Sequence, residues 1–172
     1  MTINKQDKPV LVSGSNGFTG RYVCKELQKR KIKFYALVRP GTDYSWLLNQ
    51  KINIKFSDLN DSNNLADILK ECSALLNVAS LGFGTLPSIL KACEMANIDR
   101  CVFISTTAIY THLNTSSKSI RINAENDIKA TNMNWTLVRP TMIYGSKRDR
   151  NIIKLIRWVN KFPFLPIFGN GK

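Results

Sequence analysis

Three glycines, Gly14, Gly17 and Gly20, recur at three-residue spacing in VLVSGSNGFTG, directly after an apolar run. Glycine reaches left-handed backbone and lets the main chain approach another group with no Cβ in the way. A glycine turn that opens a helix gathers unpaired N–H groups at the positive end of the helix dipole, and a pyrophosphate fits there. On this reading Gly14 permits the turn, Gly17 lets phosphates come close, and Gly20 brings helix and strand together, with Asn16 and Phe18 completing the cradle. The pattern predicts a dinucleotide site if a strand precedes it and a helix follows. No metal site is expected: Cys24, Cys72, Cys93 and Cys101 are scattered, no CxxC occurs, and His112 is the single histidine. The cysteines read as buried small hydrophobes in a reducing, cytoplasmic setting.

Apolar blocks of strand length must position that turn: PVLVSG, KFYALV, INIKFSD, ALLNVAS, RCVFIST and NWTLVRP. Helical spacing lies between most of them, in Tyr22 and Leu27, in Leu65, Ile68 and Leu69, in Ile89, Leu90, Cys93 and Ala96, and in Ala124, Ile128 and Ala130. Short buried strands alternating with amphipathic helices predict an α/β fold, a Rossmann-type doubly wound parallel sheet with helices on both faces. Residues 1–147 are expected to form the dinucleotide-binding domain. Residues 148–172, with Ile152, Ile153, Ile156 and Val159 on the apolar side of a helix, would begin a substrate-binding part.

The 172 residues, 44% of them hydrophobic, suffice for a substantial core. A net charge of +13 is compatible with phosphorylated ligands, anionic lipid or nucleic acid. Basic stretches such as KELQKRKIK and SKRDRNIIKLIR interleave no aromatics as a base-stacking surface would, so a solvated basic surface and no nucleic-acid partner are expected. No apolar run reaches the ~18 residues that span a bilayer, and the polar start MTINKQDK is unlike a signal peptide.

SGSNGFTG resembles the opening of the short-chain dehydrogenase/reductase superfamily, in the extended and atypical branches that include NAD-dependent epimerases and dehydratases of nucleotide sugars. Further stretches fall in that family's order: SDL at 57–59, NVAS at 77–80, FISTTAIY at 103–110 and LVRPTMIYG at 137–145. The resemblance covers essentially the whole chain. It implies an NAD(P)-binding oxidoreductase or epimerase/dehydratase-like protein with a small-molecule substrate such as a nucleotide sugar, and it leaves a homodimer open. The alternative is a non-catalytic NADP-binding regulatory or structural module.

NAD-selective members carry an acidic residue near the end of the second strand, where this chain reads YALVRP. Arg39 suits a 2′-phosphate, so NADP is expected and NAD remains open; a solvent-facing loop residue is the other reading of Arg39. By resemblance, Asp58 and Leu59 flank the adenine, although Asp58 equally suits a turn or cap before LNDSNN. Ala79 and Ser80 would run beside the cofactor ribose and phosphates, and Pro140 past the nicotinamide end.

Catalysis in the family rests on a Tyr-x-x-x-Lys pair shortly before an Ala-Glu helix. Counting back from Ala124 and Glu125 puts Arg121 in the lysine place and Ser117 in the tyrosine place. Arg121 retains donors for ribose hydroxyls, whereas a serine hydroxyl cannot replace a phenol directly. Thr106 matches the family's catalytic hydroxyl and would polarise a carbonyl, or it is simply a residue that suits a strand. Tyr110, Tyr144 and His112 are the other candidate proton carriers near the expected cleft, the alternative being a packing or positioning role for the tyrosines and an exposed loop position for His112. Family members continue past a segment like PIFGNGK, so the substrate-binding part is expected to be truncated. An enzyme would need a working proton donor near Thr106; a binding module needs only the glycine loop and Arg39.

Overall fold

The structure, a computed structural model, describes residues 8–112, 116–145, 152–162 and 164. Strands β1 (Val10–Ser13), β2 (Phe34–Val38), β3 (Ile54–Phe56), β4 (Ala74–Asn77), β5 (Arg100–Ile104) and β6 (Asn134–Val138) alternate with helices. The helices are α1 (Phe18–Lys29), α2 (Ser45–Asn49), α3 (Ser62–Lys70), α4 (Leu86–Met95), α5 (Ser116–Lys129) and α6 (Ile152–Lys161). All strand pairs are parallel, in the order β3-β2-β1-β4-β5-β6. The predicted doubly wound sheet is thus present. Short α2 and two 3-10 turns, Leu81–Phe83 and Thr107–Tyr110, have no counterpart in the sequence reading.

Two compact units divide the chain, residues 1–141 and 142–172. The expected boundary at 147/148 lies outside the described residues. Within the second unit, α6 is followed by an aromatic group in which the Trp158 ring stacks 4.7 Å from Phe162 and Nε1 donates to the Phe164 carbonyl at 3.2 Å.

Alternation along the strands sorts the first unit's core into two layers. Leu11, Leu37, Leu75, Cys101 and Phe103 face one way, onto Leu65, Leu69, Ile89, Cys93, Ala124 and Ile128 of α3, α4 and α5. Val12, Ala36 and Val38 face the other way, onto Cys24 of α1 and Leu47 of α2. Phe103 is fully buried, and its loss to Ala would be expected to destabilise by about 3–5 kcal/mol. Tyr22, one of the residues at helical spacing, faces outward: it is 53% exposed, its ring edge-on to Phe18. Ala130 lies past the end of α5 and is exposed as well.

Helices α1, α2 and α4 end alike, with no glycine at the reversal. Lys31, Lys51 and Asn97 take φ of 57°, 55° and 54°, and the next residue, an isoleucine each time, returns its N–H to a carbonyl of the last turn. These are Schellman terminations, in which Ile52 and Ile98 bury themselves. Each non-glycine residue in that conformation costs about 1–2 kcal/mol, offset by the bonds closing the helix end.

All four cysteines are free and buried. Burial pushes the Cys24 thiol up to about 11 and Cys72 up to about 12. Cys24 lies in the α1 layer and the other three in the α3–α5 layer.

Candidate functional site

Strands β1 and β4 are neighbours, and the chain winds away from them in opposite directions, which opens a crevice beyond their carboxyl ends. Gly14 turns there with φ +64°, and a Cβ on it would stand 2.6 Å from the Ala79 nitrogen and 2.9 Å from the Val78 carbonyl carbon. Conformation and packing both demand glycine. At Gly20 a Cβ would lie 2.0 Å from the Gly14 oxygen. Its role is therefore to admit the loop's own backbone against the helix, more than the strand the sequence suggested.

Gly17 differs from both. It is exposed, with φ −70° and ψ 173°, and a Cβ would approach one atom only, the Gly14 oxygen at 3.1 Å. That one contact is tight and would need the Gly14 carbonyl to give by a few tenths of an ångström, and otherwise the space above the start of α1 is open. Gly17 caps that helix with no side-chain bond, and the first turn holds no acidic residue. The leading N–H groups are thus available to an anion. Uncapped donors, the helix dipole and a side-chain-free approach fit a dinucleotide pyrophosphate.

Buried polar residues brace this loop. The Ser13 hydroxyl donates to Asn77 Oδ1 at 2.5 Å, Asn77 Nδ2 donates to the Ala79 carbonyl at 3.1 Å, and the Ser15 hydroxyl donates to the Leu37 carbonyl at 3.0 Å. They tie the carboxyl ends of β1, β4 and β2 together. The sequence reading gave Ser13 and Ser15 no role and read Asn77 only as part of NVAS beside the cofactor, not as a brace; the available signal was hydroxyls and an amide among strand-end apolar residues. Asn16 turns its side chain inward, accepting from Arg21 Nη2 at 2.7 Å and donating to the Asp43 carbonyl, so only its backbone remains for phosphate. Phe18 opens α1.

Arg39 follows β2 on a tight turn through Pro40 and Gly41 (φ +77°), closed by Thr42, whose N–H and hydroxyl donate to the Arg39 carbonyl at 3.3 and 2.7 Å. Its side chain is exposed and bonds to nothing among the described residues. Asp58 does make a turn: Oδ1 accepts from the Asn60 N–H at 2.8 Å and from Asn60 Nδ2 at 3.1 Å. Leu59 packs against the α3–α5 layer. Past β4, the Ser80 hydroxyl oxygen accepts the Gly82 N–H at 3.2 Å and starts the 3-10 turn.

Beyond β5 the three hydroxyls have separate roles. Ser105 is buried and donates to Glu125 Oε1 at 2.6 Å. Thr106 holds extended backbone and accepts the Ala108 N–H at 3.2 Å, which leaves its own hydroxyl proton to give. Thr107 donates from its N–H to the Pro140 carbonyl at 3.1 Å, joining the ends of β5 and β6. Glu125 was used in the sequence only to set the register; the fold makes it a hub, with bonds from Arg139 Nε and Nη2 at 2.9 and 2.6 Å. Burial pushes its carboxyl up, but the bonds from Arg139 and Ser105 outweigh that and hold it below the usual carboxylate range.

Arg121 on α5 donates from Nη1 to the Ser117 hydroxyl oxygen at 2.9 Å and lies on the turn after β4, where a Cβ on Gly82 would come within 3.0 Å of the guanidinium. The residues in the Tyr-x-x-x-Lys places thus face each other across one helical turn. Tyr110 is 67% exposed with Arg139 6.0 Å from its ring centroid, and His112 is exposed. Tyr144 belongs to the second unit. Among the described residues no group of His, Cys, Asp and Glu could hold a metal, and no helix is long and apolar enough to cross a membrane.

Parallel topology, the crevice and the glycine turn define a dinucleotide-binding Rossmann domain. The chain belongs to the NAD(P)H-binding family, whose model it matches over residues 14–155. It is 28% identical over 131 residues to a decarboxylating sterol-4-alpha-carboxylate 3-dehydrogenase of Dictyostelium discoideum, covering 72% of this chain and 40% of that protein. The chain therefore spans about 40% of the length of that curated relative. Its fold matches UDP-N-acetylglucosamine 4-epimerase of Bacillus cereus with a TM-score of 0.72 and 17% identity, over 88% of this chain and 61% of that one. It also matches a wide-type short-chain dehydrogenase/reductase of Veillonella parvula solved with NADP, with a TM-score of 0.68 and 14% identity, over 90% and 87%.

Proposed function

We propose that the chain holds the cofactor of an NADP-dependent oxidoreductase of the epimerase/dehydratase kind, acting on a hydroxyl or carbonyl of a small molecule, a nucleotide sugar being the favoured class. The observation that carries this is Gly17, a glycine whose added Cβ would meet a single atom, the Gly14 oxygen, and otherwise open space, set over an uncapped helix start. Arg39, exposed and unpaired among the described residues, meets the 2′-phosphate. Asp58 and Leu59 flank the adenine, Ala79 and Ser80 follow the ribose and phosphates, and Pro140 borders the nicotinamide end. Held by these residues, NADP would supply hydride-transfer chemistry. Thr106 hydrogen-bonds the substrate oxygen through its hydroxyl and stabilises the charge that develops there, and Arg121 holds ribose hydroxyls from the Gly82 side. A cytoplasmic setting agrees with four free, buried thiols. A homodimer belongs to the same proposal and is checked by light scattering.

Ser117 favours a second reading, a non-catalytic NADP-binding module, because its oxygen accepts from a permanent cation and the tyrosine place offers no phenol. Titration with NADPH, followed on the same sample by NADPH oxidation against a panel of carbonyl compounds and nucleotide sugars, separates the two. Binding with substrate-dependent oxidation supports the enzyme; binding without it supports the module; absence of binding refutes both.

A further inference from the structure

Arg21 is the residue after the third glycine, and nothing in the glycine pattern calls for a cation there. Its Nε donates to the Asn16 carbonyl at 3.1 Å and its Nη2 to Asn16 Oδ1 at 2.7 Å. The guanidinium also lies over the Trp46 ring, 4.7 Å from its centroid. One side chain thereby grips the glycine loop through two acceptors and α2 through an aromatic face. Asn16, so oriented, donates its Nδ2 to the Asp43 carbonyl. Asp43 Oδ1 in turn accepts the Ser45 N–H at 2.9 Å and the Ser45 hydroxyl at 2.6 Å, fixing the entry to α2. Asp43 follows directly on the Arg39–Thr42 turn that presents Arg39. A continuous set of contacts therefore runs from Arg21 to the segment carrying Arg39, across the gap between the pyrophosphate loop and the end of β2.

We infer that Arg21 is a positioning residue for NADP selectivity. Through Asn16, Asp43 and Trp46 it fixes the separation of the glycine loop from the Arg39 turn at the span between the pyrophosphate and the ribose 2′-phosphate of one dinucleotide. The inference rests on the assignment of Arg39 to the 2′-phosphate. The physical reason is geometric. Pairing of β2 with β1 and the Ser15–Leu37 bond fix where the Arg39 backbone starts, the turn after it closes locally, and the far side of that turn, from Asp43 on, is tied to the glycine loop and α1 through Asn16 and Arg21. A planar guanidinium can bond one residue through two nitrogens while stacking on a ring, and a lysine cannot do both.

The test is NADPH and NADH affinity, by fluorescence titration of the 172-residue chain, for Arg21→Gln, Arg21→Lys, Arg39→Gln and the Arg21→Gln/Arg39→Gln double variant. Circular dichroism checks each fold, and Arg21→Lys, which keeps the charge but loses the paired bonds, serves where Arg21→Gln does not fold. Arg21→Gln and Arg21→Lys are each expected to weaken NADPH roughly fivefold or more and NADH less than about twofold, with the Arg21→Gln loss vanishing once Arg39 is already changed. Equal losses for the two cofactors, an unchanged affinity, or losses that multiply in the double variant would each overturn the inference while leaving Arg39 in its role. An Arg39→Gln variant that keeps the unsubstituted chain's preference between NADPH and NADH would overturn the 2′-phosphate assignment and this inference with it.

Discussion

The Glu125 carboxylate on α5 is gripped by the Arg139 guanidinium at the end of β6, Nε at 2.9 Å and Nη2 at 2.6 Å, with only 3% of the Glu125 side chain exposed. The same carboxylate takes the Ser105 hydroxyl at the end of β5. One acid thus joins a helix to the ends of two strands, next to Thr106 and Pro140, the residues proposed above for the reacting end of the site.

Removing this carboxylate leaves the buried Ser105 hydroxyl and a partly exposed Arg139 without their acceptor, and Glu125→Ala is expected to lower stability by about 1–3 kcal/mol in urea unfolding. The carboxyl lies below its ordinary range in the fold, so its stabilisation is full above the unfolded value near ~4.3 and is lost as pH falls through the folded one. Glu125→Gln should flatten the decline in stability over that acid window. An unchanged slope would show that other carboxylates govern it.

Gly17→Val should leave the circular dichroism spectrum intact and abolish NADPH binding, because the side chain enters the phosphate space and meets little else. Gly20→Ala should fail at folding, with its Cβ 2.0 Å from the Gly14 oxygen. A folded Gly17→Val chain that binds at full strength would remove the pyrophosphate from this loop.

Arg39→Ala should weaken NADPH by the worth of a charge-assisted bond, ~1.5–3 kcal/mol, and barely alter NADH. Isothermal titration with both cofactors reads the difference directly, and equal losses would make Arg39 a bystander.

If Thr106 meets the substrate oxygen, Thr106→Ala should slow NADPH oxidation by roughly 10²-fold, Thr106→Ser should recover most of it, and NADPH affinity should hold in both. Stopped-flow measurement at saturating NADPH distinguishes this from a structural effect, in which Thr106→Ser would be no better than Thr106→Ala.

The glycine turn, the parallel sheet and the helical layers were legible in the sequence because each leaves a local mark: spacing by three, apolar blocks of strand length, and helical periodicity. Leu65, Leu69, Ile89 and Ile128 are buried as their spacing predicts. Glu125 was not legible as a hub, since its partners Ser105 and Arg139 stand 20 and 14 residues away and meet it only when β5 and β6 pair beneath α5. Asn16 illustrates the same limit: its position in the loop suggested phosphate, and the folded chain gives its side chain to Arg21 and Asp43. Tyr22 fits the helical pattern yet faces outward, because α1 turns its Cys24 side to the sheet.

The burial of all four thiols makes the protein its own gauge of opening. A folded chain should consume no alkylating reagent, since the sulfurs are out of contact with solvent and those of Cys24 and Cys72 resist ionisation. Each modification event then records a moment when one layer of the sheet lifted away. Cys24 reports on the side covered by α1, while Cys72, Cys93 and Cys101 report on the side covered by α3, α4 and α5. Mass-resolved labelling rates would show whether the two sides breathe together or one by one. Saturating dinucleotide should slow Cys24 in particular, for α1 is the helix whose first turn the phosphates would clasp.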